Sequence, residues 1–159
     1  MTTPTIKPLL FDTYLAMINN AVGSTMFKNG YAEINGVKTD VLKEGELSCA
    51  IFVSGILSIF NLIDEPHATV KNTVVKMEAA GWQKTEELKP GCVLVWEAVD
   101  FGGGDLHTHI GFYIGNDQAI SNDFRTKKII KHHFKYVGDE LGERAITAIY
   151  YHPTFMKHD

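Results

Sequence analysis

The chain is poor in cysteine, holds no long apolar run and carries no excess of basic residues; each shortage narrows the field. Its two cysteines, Cys49 and Cys92, stand 43 positions apart with no metal-type spacing. Two are too few for a disulfide-stapled secreted scaffold, so both read as free thiols in a reducing compartment. No window reaches the ~18 consecutive apolar residues of a membrane helix. The opening stretch MTTPTIKPLLFDTYLAMINN lacks the basic start of a signal peptide, and Asp12 interrupts its apolar run early. The expectation is therefore a cytoplasmic protein with no membrane contact, with export by a non-standard route or phage-mediated release as the alternatives. A net charge of −4 and a pI near 5.9 give no support to a nucleic-acid partner. The densest basic stretch, TKKIIKHH at 126–133, has Ile129 and Ile130 at its centre and reads as a strand with a charged outer face.

What the chain does have is the composition of an ordinary globular protein, 45% hydrophobic and 21% charged. Its 159 residues suffice for one domain with a buried core, here expected over 1–159, and neither repeat nor linker interrupts them. Periodicity divides it into two regimes. Leu10, Tyr14, Met17, Ile18, Ala21 and Val22 share one side of a helix over 9–22, stopped by Gly23. Residues 49–62 are apolar nearly all round, which predicts a helix buried within the domain, and a more amphipathic helix follows at 68–80. Between the first two helices, Asn35-Gly36 in EINGVKT signals a short hairpin. From 92 onward the period becomes two: CVLVWEAV, HIGFYIG, QAISNDF, KKIIKHHF and RAITAIYYH read as strands. Helices first and strands afterwards predict an α+β fold with N-terminal helices packed on an antiparallel sheet of about five strands.

The stretch EGELSCAIFVSGIL, 44–57, puts a thiol where a charged turn becomes the buried helix. With Ser48 as N-cap, Cys49 is the first helical residue, among unpaired N–H groups at the positive end of the helix dipole. That position favours thiolate and offers donors to an oxyanion; the alternative is a small buried hydrophobe. A nucleophile needs a base. Of seven histidines, His109 opens the most regular strand, with Gly111 and Tyr113 on its side and Ile110, Phe112 and Ile114 on the other.

Taken together, SCAIFVSGIL, LKPGCVLVWE and HIGFYIGNDQAIS resemble the NlpC-type cysteine peptidases, a papain-like group acting on cell-wall peptides. In that family a helix begins near Asp-Cys-Ser-Gly-Phe, a Leu-x-Pro-Gly-Asp turn follows, and a strand of the form His-Val-Gly-Ile-Tyr-Ile-Gly-Asn-Gly carries the base. The histidine strand matches at His109, Gly111, Tyr113, Gly115 and Asn116, and the resemblance spans about residues 20–135. It implies a papain-like NlpC-type fold, Cys49 as nucleophile and His109 as base. The departures are specific: Ser48 stands at the Asp position, Ala50-Ile51 replaces Ser-Gly, Cys92 follows Pro90-Gly91 where the family has Asp, and Phe27 falls where a tyrosine is usual. Cys92 then reads as a structural thiol.

The third member should be a polar side chain that orients the imidazole. The family's spacing of about twelve residues lands on Ser121, a weak orienter, and Asn122 or Asp123 would serve better after a bulge. Asn122 is the choice, although strand parity puts it in phase with Ile120 and Phe124. Substrate contacts are assigned to Phe27, Ser48, His107, Ser121 and Asp123. A zinc reading competes for His107 and His109, with Asp105 or Cys92 completing a set and His132-His133 in reserve, but no spacing matches a zinc signature and none is assigned.

The resemblance implies a thiol hydrolase that cleaves an amide without a cofactor. Its substrate would be a peptide or peptidoglycan fragment, typically at a γ-D-Glu–diamino acid bond. A non-catalytic binding module on the same fold is the alternative, and the oligomeric state is left open.

Overall fold

The computed structural model describes residues 3–135 and 142–158. Three helices precede the main sheet. Helix α1 spans Leu10–Asn20, α2 spans Cys49–Ile59 and α3 spans Val70–Ala79. Between α1 and α2 lies the hairpin of β1 (Tyr31–Ile34) and β2 (Val37–Asp40). Asn35 and Gly36 turn it with φ of 51° and 80°, the pair of left-handed residues that a two-residue hairpin loop needs.

The main sheet is antiparallel and has six strands rather than about five. These are β3 (Gln83–Lys84), β4 (Val93–Asp100), β5 (Leu106–Gly115), β6 (Gln118–Asp123), β7 (Lys128–His133) and β8 (Ile146–Tyr151), in the order β3-β8-β4-β5-β6-β7. The additional strand is β3, two exposed residues pairing with Tyr150 and Tyr151 at the edge. It is too short to show a period, and only β8 beside it makes it a strand. Among the described residues no helix is long and apolar enough to cross a membrane.

Helix α2 is the centre of the domain's packing, against β5 and β6 on one side and α1 and α3 on others. Ala50, Phe52, Val53, Ile56 and Leu57 are buried, as its unbroken apolarity requires. Phe112 of β5 meets the rings of Phe52 and Tyr14 edge-on, at 5.4 and 5.8 Å. The Tyr14 hydroxyl donates to the Gly91 carbonyl at 3.0 Å, which ties α1 to the turn before β4.

That packing delivers the start of α2 to the sheet. The residue before it, Ser48, occupies the N-cap position, but its side chain makes no capping bond and its Oγ is buried without a partner. Tertiary contacts instead hold the chain on its way into the helix. The Asp40 carboxylate accepts from the backbone N–H groups of Gly30, Leu42 and Glu44 at 2.9 to 3.1 Å and from Asn29 Nδ2 at 2.7 Å. These bonds drop its pKa to about 2.

Candidate active site

Cys49 and His109 line one cavity of about 630 Å³, open to solvent between the start of α2, the β4–β5 connection and the end of β6. Arg144, His107, Phe101 and Asp123 form other parts of its wall. Helix α2 supplies the thiol at its first residue, and β5 supplies the imidazole. Nearby backbone N–H groups, of Ile110 on that same strand and of Ala50 and Cys49 itself, favour the charged form of the thiol. No hydrogen bond joins thiol to imidazole in the free protein, a looseness common in catalytic pairs before substrate tightens them.

The electrostatics differ from the sequence expectation. Burial pushes the Cys49 thiol up from its ordinary value, and the N–H groups and the charge of Arg144 offset only part of that. Burial also holds His109 well below the usual imidazole range, helped by the charge of Arg144 and by His132. Both shifts favour neutral partners. Burial is the largest influence on each, so both lean toward thiol and imidazole rather than thiolate and imidazolium.

Ser121, not Asn122, stands against the base. His109 Nε2 lies 2.8 Å from Ser121 Oγ. The register explains the choice. Ser121 pairs with Gly111, two residues along the strand from His109 and on its side, while Asn122 points the other way. No bulge shifts the residues between Gly111 and Tyr113, so parity holds there. Gly111 is required for the approach: a Cβ at that position would sit 2.7 Å from Ser121 Cβ and 2.8 Å from the Ile120 carbonyl oxygen. Asn122 is instead committed to the loop before α2, donating from Nδ2 to the Gly45 carbonyl at 2.8 Å.

The other assigned positions separate. His107 lines the cavity, its ring stacked with Phe101 at 5.8 Å. Asp123 also lines it, but its carboxylate accepts from Thr126 at 2.8 Å and closes the β6–β7 turn. Phe27 belongs to the core: its ring packs on Phe52 at 5.2 Å and covers Gly55. Ser48 is fully buried and absent from the wall. Cys92 is buried in the turn before β4, its thiol hydrogen-bonded to the backbone of Glu87 and Lys89. Among the described residues, the group close enough to share an ion is Asp64, Glu65 and His67, not the histidines of the zinc reading. Lys76 already holds Asp64 there at 2.7 Å.

Two residues of the site have no catalytic or substrate role in the sequence reading, where His132 figures only as a reserve zinc ligand. Arg144 is 5% exposed, its Nε donating to the Glu97 carbonyl at 2.8 Å and its Nη2 to the His107 carbonyl. It lines the cavity, and nothing local in "GERAIT" distinguishes it from a surface charge. His132 of β7 puts its Nε2 2.8 Å from Ser121 Oγ, on the side away from His109. Its alternation with Ile130 was the available signal.

No protein-family model matches the chain, and no curated protein does. Among solved structures, that of NlpC2 from Trichomonas vaginalis matches 92% of this chain with a TM-score of 0.54 at 15% identity. This chain spans half the length of that one. At such identity the likeness concerns architecture alone: helices on an antiparallel sheet, in an NlpC-like fold.

Proposed function

We propose that the chain is a thiol hydrolase of the NlpC type, with Cys49 as nucleophile, His109 as base and Ser121 as the group orienting that base. The observation that carries this reading is the convergence of a helix-start cysteine and a strand histidine on one open cavity. Sulfur attacks the amide carbonyl while His109 takes the thiol proton, so the charge separation that desolvation forbids at rest arises only along the reaction. The Cys49 N–H assists the oxyanion, the imidazolium returns its proton to the leaving amine, and water then cleaves the thioester to release acid and free thiol.

The substrate class we propose is a peptide, with peptidoglycan stem peptides and their γ-D-Glu–diamino acid bond as the first to try. The test is to incubate the protein with a panel of muropeptides and of ordinary peptides, reading released amine and trapped acyl-enzyme by mass spectrometry. Turnover that disappears in Cys49→Ala and His109→Ala is the expected result. A full panel without turnover or acyl adduct would sink the hydrolase reading. The upward shift of the thiol favours a second reading, a binding module that keeps the fold and has lost the chemistry. Muropeptide binding without turnover, unchanged in Cys49→Ala, would establish it.

A further inference from the structure

We propose that His132 is a positioning residue of this site, acting on His109 through the Ser121 hydroxyl to fix which imidazole nitrogen carries the proton. This rests on the hydrolase reading only for its functional meaning; the hydrogen-bond assignment stands on geometry.

Three side chains from three adjacent strands form a line: His109 Nε2, Ser121 Oγ and His132 Nε2, with 2.8 Å at each step. From His132 the line reaches backbone, where Nδ1 lies 2.9 Å from the His133 carbonyl oxygen. A carbonyl only accepts, so Nδ1 of His132 holds a proton. His132 is neutral in this proposal: its Nε2 is then an acceptor, and the Ser121 O–H points to it. The Ser121 oxygen in turn offers a lone pair to His109, whose Nε2 must donate. His109 therefore keeps its proton on Nε2 and its lone pair on Nδ1, which has no hydrogen-bond partner among the described residues. The base is thus set to receive a proton on Nδ1 by a carbonyl two strands away.

A serine by itself cannot do this. Its hydroxyl both donates and accepts, so Ser121 alone would satisfy either tautomer of His109. The weakness of serine as an orienting residue is met by giving its own proton a fixed destination. Trp96 holds the two imidazoles in place, with ring centroids 5.2 Å from His109 and 5.9 Å from His132. Its indole N–H donates to the Phe134 carbonyl at 2.8 Å and leaves the line undisturbed.

The test has two readouts. In protein with ¹⁵N-labelled histidine at neutral pH, long-range ¹H–¹⁵N correlation is expected to show His109 protonated on Nε2 and bare on Nδ1, and to show that state lost in His132→Phe. The second readout is the rate of Cys49 alkylation by iodoacetamide in Ser121→Ala, His132→Phe and the double variant. Each single change is expected to slow alkylation by about tenfold, the worth of one hydrogen bond to a developing imidazolium. The double variant should be no slower than either, and His132→Gln, which restores an acceptor, should recover most of the rate. A His109 proton on Nδ1 in the wild type would overturn the proposal without need of any variant. So would slowing that multiplies in the double variant, because His132 would then act independently of Ser121. A muropeptide and peptide panel without turnover or acyl adduct would instead remove the hydrolase reading, and the tautomer of His109 would still decide the relay.

Discussion

Asn122 Nδ2 and the Gly45 carbonyl oxygen stand 2.8 Å apart, joining the sheet to the loop that delivers the nucleophile helix. Gly45 has φ of +98°, and a Cβ there would lie 2.9 Å from the Lys127 carbonyl oxygen. The loop before Cys49 is therefore pressed onto the β6–β7 turn and held by a buried side chain. Asn122→Leu is expected to cost about 1–3 kcal/mol by leaving a buried carbonyl unpaired, read as a lower urea midpoint. The tautomer of His109 should be unchanged, since Asn122 does not touch it. A tautomer change in Asn122→Leu would return Asn122 to the orienting role.

Arg144 sets the balance at the thiol. Its charge pulls the Cys49 pKa down and also disfavours imidazolium at His109. In Arg144→Gln the pH at which Cys49 becomes half-alkylatable is expected to move further up, while His109 titrates at a higher pH than in the wild type. Wild-type Cys49 itself should alkylate with an apparent pKa above that of a free thiol. A value well below 8.5, the reference for an unperturbed cysteine, would show that the helix start outweighs burial.

Gly111→Ala tests the close approach of β5 to β6. The added methyl would meet Ser121 Cβ at 2.7 Å, the Ile120 carbonyl at 2.8 Å and Trp96 at 3.2 Å, none of them the free end of a flexible chain. A loss of about 3 kcal/mol or failure to fold is expected. Alanine tolerated with an unchanged melting temperature would mean that the two strands have room to part.

Asp40 and His109 each contribute to the pH dependence of stability. Asp40 falls from an ordinary carboxylate value of 3.8 to about 2, so its contribution is complete well above 3.8 and is lost as pH drops toward 2. Asp40→Ala and wild type should therefore differ in urea midpoint at neutral pH and converge near the bottom of that range. His109 is held neutral by burial, so below its unfolded value of about 6.5 the unfolded chain binds a proton that the folded chain refuses, and stability declines with falling pH. His109→Phe should flatten that part of the profile. A profile that stays sloped between about 6.5 and 5 in this variant would place the titration elsewhere.

Much of the architecture was legible because it rests on short-range rules. The buried helix at Cys49, the Asn35-Gly36 hairpin and the alternation in HIGFYIG each follow from a period or a turn preference within a dozen residues. Parity alone, applied strictly, already favoured Ser121 over Asn122; the chemical weakness of a lone serine argued the other way. That weakness has its answer in His132, which no local pattern connects to Ser121.

The sequence by itself determined where the thiol and the imidazole sit on their own elements, because helix starts and strand faces are local properties. Tertiary structure alone decided their ionisation, since desolvation depends on what packs around them, and it alone brought Arg144 and His132 to the site. Arg144 stands 35 residues from His109 along the chain, in the segment that leads into β8, and His132 stands 11 residues from Ser121, on the paired strand β7. Register in a sheet is fixed by the whole core, so which side chain touches which across strands is settled only when the fold closes.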